Sequence, residues 1–308
     1  LCAYVWKRRR DFDLLHSHGA YYTNSIVGPL ARAAGLKSIV KASLANDDLY
    51  SIGRTVSGRL HLALLRRVDA CVAISRDLVR EFSDCGVPSQ RIHYLPNGVD
   101  TALFHPVDAA ERQRARARLD LPSDRPLALY AGVMDDRKNI EWLARQWVAQ
   151  DAFGTDALLL AIGPQSREDT SGELIGRLRG LQTEAPRHFC LRAHATDIDD
   201  YLRAADVLVL PSHREGLPNV VLEAMASGLP CVAADVSGTR DLVQDGRTGY
   251  TYQPDDATAL ASAVIGALSP GGRDLGRNGR RIAEDSFSLE SVAHDYSRLY
   301  TDLLAAKE

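Results

Sequence analysis

The sequence lacks any long apolar run. Its longest uncharged apolar stretch, Ala257 to Leu268, is followed by Ser269-Pro270-Gly271-Gly272 and falls short of the ~18 residues that suggest a spanning helix. It also lacks a paired-cysteine motif: Cys2, Cys71, Cys85, Cys190 and Cys231 are odd in number and include no Cys-x-x-Cys. This argues against a disulfide framework or a zinc ribbon, and the five read as reduced, buried thiols of a cytosolic protein. There is no excess of positive charge, since 37 Lys and Arg against 40 Asp and Glu leave −3. A dedicated nucleic-acid binder is thereby excluded, because no global field gathers phosphate. Leu1 to Trp6 precede the basic run Lys7 to Arg10, the reverse of a secretory signal. The chain does not start with Met, and it is expected to be an N-terminally truncated fragment.

What is present is a globular composition: 308 residues, 45% apolar and 25% charged, enough for two domains with real cores. Short β-branched runs alternate with amphipathic segments, the pattern of βα units around parallel sheets. In the first third, 13–18, 38–42, 70–75 and 92–96 read as strands, with helical stretches near 22–34, 51–67 and 76–85. Segment 105–126, polar, Arg-rich and carrying Pro106, Pro122 and Pro126, reads as a linker. Six further strands are expected at 127–132, 157–163, 188–193, 206–211, 230–235 and 249–252. The expected division is an N-terminal Rossmann-like domain over 1–107, a second doubly wound domain over 108–286 and a terminal helical segment over 287–308 that packs back toward the first.

The most informative stretch is 211–238, which follows a buried strand. Its carboxylates Glu215 and Glu223 are separated by seven residues. A helix starting near Pro218 or Asn219 puts Glu223 in its second turn and Glu215 in the preceding loop. The N–H groups of Gly216, Leu217, Asn219 and Val220 then offer an anion or sugar site at the helix start. Ionised carboxylates only accept hydrogen bonds, so such a pair suits the hydroxyls of ribose and hexose.

This stretch resembles the retaining glycosyltransferases of family 4, which have two Rossmann-like domains facing a cleft, the GT-B fold. The resemblance extends over LYAGVMDDRKNIEWL (129–143), 201–238, 241–264 and 287–300, and upstream over DLLHSHG (13–19), AISRDL (73–78) and YLPNGVDTALFHP (94–106). It implies transfer of a hexose from a nucleoside diphosphate sugar to a hydroxyl acceptor, in polysaccharide or glycolipid synthesis, with no metal or other cofactor. Carried over, it gives Glu223 the ribose, Glu215 the transferred sugar and Lys138 the diphosphate, with Arg137 beside it and with Gly163, Pro164 and His194 near the base. The sequence departs from the family in two places. No histidine lies in 38–48, where one is usual, and Val133 stands where an arginine usually pairs with the lysine. Two other readings share the architecture: a nucleotide-sugar epimerase, and a non-catalytic donor-binding subunit.

Other features have plainer readings. His16 and His18 have no third ligand at suitable spacing, so they are expected to be structural. The pairs Asp135-Asp136, Asp199-Asp200 and Asp255-Asp256 are expected to cap helices. Arg54, Arg59, Arg66 and Arg67 share a segment with Ile52, Val56, Leu60 and Leu64, expected to be a solvated face over a core stripe. The other reading of that segment is a helix touching lipid head groups, which would place a cytoplasmic chain peripherally on the inner face of the plasma membrane. Arg112 to Arg118 are expected on an exposed linker helix.

Overall fold

A computed structural model describes residues 2–19, 22–45, 49–149, 151–166, 171–193 and 195–305. Among the described residues ten parallel strands form, and the chain packs as two compact units. The first unit comprises the residues up to Gly98, Arg214–Leu217, and those from Glu290 onward. Its sheet takes β1 (Leu14–His18), β2 (Lys37–Ala42), β3 (Ala70–Ala73) and β4 (Ile92–Tyr94) in sequence order. Alternate strand residues face opposite sides. Leu15 accordingly joins Val5, Ala31 and Leu36 on one face, while Leu14 joins Ile39, Ala70, Val72 and Leu95 on the other. The second face is covered by the Leu289–Ala305 helix, whose Leu299 is buried there beside Tyr296, Tyr300 and Leu303.

The second unit spans Val99–His213 and Pro218–Leu289. It holds β5 (Leu127–Ala131), β6 (Leu158–Ile162), β7 (Phe189–Arg192), β8 (Val207–Leu210), β9 (Cys231–Ala234) and β10 (Gly249–Tyr252). Their spatial order is β10-β9-β8-β5-β6-β7, a doubly wound sheet whose direction of growth reverses between β5 and β8. Both faces of β5 are covered, so LALYA is buried at every position, as central parallel strands require. Trp147 anchors one side among Tyr130, Leu159 and Phe189, and its indole N–H donates to the Ala157 carbonyl at 3.1 Å.

Several expectations are corrected. The linker is not an exposed arginine helix. Asp108 caps the Ala109–Arg118 helix by accepting from the Glu111 N–H at 2.7 Å, and Arg116 is only 4% exposed. The Arg116 guanidinium donates to Asp206 (2.6 Å) and to the carbonyls of Ala204 (2.9 Å) and Arg125 (3.0 Å), while Arg112 donates to the same carboxylate at 2.9 Å. Composition cannot separate a solvated arginine from one that ties a helix to the root of a strand. The first unit gives way to the second at Gly98, upstream of residue 107. There Val99 exchanges backbone bonds with Phe287 (2.8 Å) and Leu289 (3.1 Å), and Arg280 donates to the carbonyls of Thr101 and Phe104.

The stretch 51–67 is likewise not one helix. Tyr50–Gly53 and Gly58–Leu65 are separate, and the break destroys the apolar period. Val56 and Leu60 stand exposed, Leu64 is half-buried and Leu65 is buried. The side chain of Ile52 lies outside the described residues. Segment 22–34 divides similarly into Tyr22–Ser25 and Val27–Ala34. Cys71, Cys85 and Cys231 are buried, but Cys2 is exposed and Cys190 half-buried. Burial pushes the Cys71 and Cys231 thiols up to about 12, which leaves them inert. Among the described residues no helix is long and apolar enough to cross a membrane.

Candidate active site

In open parallel sheets, ligands bind outside the carboxyl ends of the strands, at the point where strand order reverses. Here that point lies between β5 and β8, and the strands bordering it lead into the lysine loop and the Glu215 loop. The sequence placed both loops after strands but could not place the strands side by side.

The lysine loop is built largely from backbone bonds. Gly132 N–H donates to Ile162 (3.0 Å), Met134 N–H to Pro164 (2.9 Å) and Ser166 N–H to Met134 (3.2 Å), which zips it to the loop after β6. A side chain at Gly163 would place its Cβ 1.7 Å from the Gly132 carbonyl oxygen, so glycine is required for this approach. Asp135 accepts from the Lys138 N–H at 2.7 Å and closes the Asp136–Lys138 turn. Asn139 follows in the left-handed region at φ 56°, where Asn is tolerated. Lys138 is half-buried, and the Arg137 guanidinium lies 3.7 Å from the Asp135 carboxylate. Val133 is half-buried, its carbonyl accepting from the Tyr130 hydroxyl at 2.9 Å.

The Asn219–Ala226 helix begins where expected, with Pro218 in extended conformation at its cap. Val221 and Leu222 donate back to the Pro218 carbonyl at 3.1 and 3.4 Å, so the Val220 N–H lies ahead of the helical ladder. Asn219 and Val220 are thus in the first turn and Glu223 in the second. The Glu223 side chain is half-buried and, among the described residues, has no hydrogen bond or ion pair. Burial raises its carboxyl above the ordinary glutamate value, because desolvation disfavours the charged form. Glu215 and Leu217 are buried, and Arg214–Leu217 pack with the first unit. Gly216 allows that packing: a Cβ there would lie 1.8 Å from the Ser43 carbonyl oxygen. His194 lies outside the described residues.

The acidic pairs divide by role. Asp135 and Asp256 cap, the latter accepting from the Ala259 N–H at 2.9 Å. Asp199 and Asp200 instead pair with Arg203 at 2.7 and 2.9 Å. Asp255 accepts from Asn139 Nδ2 at 2.9 Å and His213 Nε2 at 3.1 Å. Burial pushes its carboxyl up, but these bonds outweigh that and hold it below the usual range. Sequence reasoning missed His213 and took Asp255 for a cap. The one signal was that Asp256 alone satisfies the cap of the following helix. In the first unit His16 and His18 stack at 4.7 Å between ring centroids, and His16 Nδ1 bonds the Tyr300 hydroxyl at 2.9 Å. Among the described residues no three His, Cys, Asp or Glu side chains come together to hold a metal.

Comparison with known proteins agrees with this fold. Residues 125–269 match the model of "Glycosyl transferases group 1" and residues 2–103 that of "Glycosyltransferase Family 4". The D-inositol 3-phosphate glycosyltransferase of Streptomyces scabiei is 31% identical over 330 residues, which cover 97% of this chain and 70% of that protein. Sucrose-phosphate synthase from Thermosynechococcus elongatus superimposes with a TM-score of 0.80 at 28% identity, covering 99% of this chain and 76% of that one. Anabaena HepE, solved in complex with UDP and glucose, gives 0.83 at 18% identity over 98% of this chain and 81% of its own, a likeness of fold. With a two-sheet GT-B architecture, family matches over both sheets and similarity over nearly the whole of this chain to such a relative, the chain belongs to the family 4, group 1 glycosyltransferases.

Proposed function

We propose that this glycosyltransferase is a retaining, metal-independent enzyme that moves a hexose from a nucleoside diphosphate sugar to a hydroxyl of a glycan or lipid-linked glycan. The observation that carries the reading is Glu223, a half-buried carboxylate with no partner among the described residues. Such a group costs stability unless something donates to it, and the vicinal hydroxyls of a ribose supply two donors. The UDP bound by HepE accords with this.

Lys138, in the turn at the reversal point, faces the diphosphate in this reading, and Glu215 attends the transferred sugar. As the bond from the anomeric carbon to the diphosphate oxygen breaks, negative charge grows on the leaving group, and a fixed cation there stabilises the transition state. The acceptor oxygen bonds to the anomeric carbon on the same face, and its proton passes to the leaving phosphate. No protein base is needed. On the first unit, exposed Val56 and Leu60 beside Arg54 and Arg59 suit a peripheral contact with the cytoplasmic face of a membrane.

The test is a panel of nucleoside diphosphate sugars assayed for nucleoside diphosphate release with and without acceptors. Glu223→Gln should weaken donor binding by ~1.5–3 kcal/mol, the value of a charged hydrogen bond, while turnover at saturation changes less. Unchanged donor affinity by calorimetry removes Glu223 from the ribose site. The same substitution should raise the melting temperature near neutrality. Because the folded carboxyl titrates above its ordinary 4.5, the folded state holds more protons in that window and loses stability as pH rises through it.

A further inference from the structure

We infer that Asp255 is a positioning residue that clamps the lysine loop in place before any donor arrives; its consequence for transfer rests on the reading of Lys138 given above. Asp255 lies in the turn after β10, two strands away from β8, and sits in the left-handed region at φ 64°. A non-glycine residue held there marks a conformation that its surroundings impose. Its carboxylate takes Asn139 Nδ2 on one side and His213 Nε2 on the other. Asn139 directly follows Lys138, and the His213 backbone N–H donates to the Arg137 carbonyl at 2.9 Å. One carboxylate therefore joins the turn after β10, the loop after β8 and the end of the lysine turn.

Packing holds the ends of the loop, where Met134 and Ile140 are buried in the core, but not the outer side of the turn. Outside the lysine turn lies a cavity of about 400 Å3 lined by Asp135, Asn139, Trp142, His213 and neighbours. A turn with open space behind it keeps its shape through hydrogen bonds. The His213–Asp255 pair is exposed on both sides, so it adds little to global stability. Its effect falls on the position of one cation, where a displacement of ~1 Å can cost up to ~100-fold in rate.

The experiment uses Asp255→Gly and Asp255→Asn. Glycine accepts the backbone angle and removes only the carboxylate, whereas asparagine keeps the shape and one acceptor oxygen. With the preferred donor, Asp255→Gly should lower kcat by about tenfold with a smaller change in donor affinity, because the cation acts mainly on the departing phosphate. Asp255→Asn should recover part of the loss, and amide hydrogen exchange over 134–139 should quicken in the glycine variant with the melting temperature little changed. In a Lys138→Ala background, Asp255→Gly should add no further loss. Unaltered exchange over 134–139, or a full additional loss on top of Lys138→Ala, overturns the clamp. If Lys138→Ala itself leaves transfer intact, the assignment of the lysine fails, and the exchange measurement alone then decides for or against the clamp.

Discussion

The two units use one construction, helices over a parallel sheet, yet they differ in what the sheet exposes at its carboxyl end. The second reverses strand order between β5 and β8, and the loops there are joined by hydrogen bonds from 132 through 166, 213 and 255. The first runs β1 to β4 in sequence order among its described strands, with no reversal to mark a binding point. Polar side chains of β1 and β2 instead meet the Leu289–Ala305 helix. Lys41 donates to Asn97 at 3.0 Å and lies over the Tyr296 ring, while His16 bonds Tyr300. In one unit polar groups gather at a sheet end around the Asp255 carboxylate; in the other they help dock a helix. The contrast shows that titratable residues on a sheet say little about function until the strand order is known.

The largest expected effect tests how the second unit is tied to its linker helix. Arg116→Ala leaves Asp206 to Arg112 and the Leu127 N–H, and losing the charge-assisted bond of its most buried partner costs about 1.5–3 kcal/mol. Urea denaturation should show that loss, whereas Arg118→Ala, at an exposed pair, should stay within ~1 kcal/mol. Equal effects would mean that the linker helix is as solvated as its composition suggests.

The next concerns the first unit's polar helix seat and is read by pH. Burial first, then His18 and Lys41, lowers His16 to about 4 from 6.5. Between those values the unfolded chain holds more protons, so this contribution is complete above 6.5 and is lost as pH falls toward 4. His93, also lowered by burial and partly offset by Asp302, contributes with the same sign. The stability of wild-type protein should therefore decline over that window, and His16→Gln should flatten the slope without abolishing it. An unchanged slope would separate His16 from the docking of the helix.

The smallest effect is expected at Leu60. Because it is exposed, Leu60→Ser should change stability by no more than ~0.5 kcal/mol, while weakening sedimentation with anionic lipid vesicles if this face meets a membrane. A loss of several kcal/mol would restore the core stripe that the sequence suggested.

Much of this was legible beforehand. The ten strands among the described residues fall at the expected segments, and the central ones are legible because a parallel strand buried on both faces must be apolar throughout, as at LALYA and LLLAI. The helix under Glu223 was legible from Pro218 and the apolar run after it. The Val56–Leu60 stripe was misread because its period crosses a break between Gly53 and Gly58, and periodicity is silent about where a helix stops. Arg116 was misread because its partner, Asp206, is distant in sequence.

Thus the sequence alone determined the alternating βα plan, the glutamate pair and its helix, and the lysine turn, since each depends on neighbours within a few residues. Only the tertiary structure decided that β5 lies beside β8, that Arg116 is buried on Asp206, and that Asp255 reaches both Asn139 and His213. Those facts depend on which distant segments meet. Pairing across such separations is set by the packing of whole sheets, where the entropy of closing a loop grows only slowly with its length and local preference carries no address for the partner.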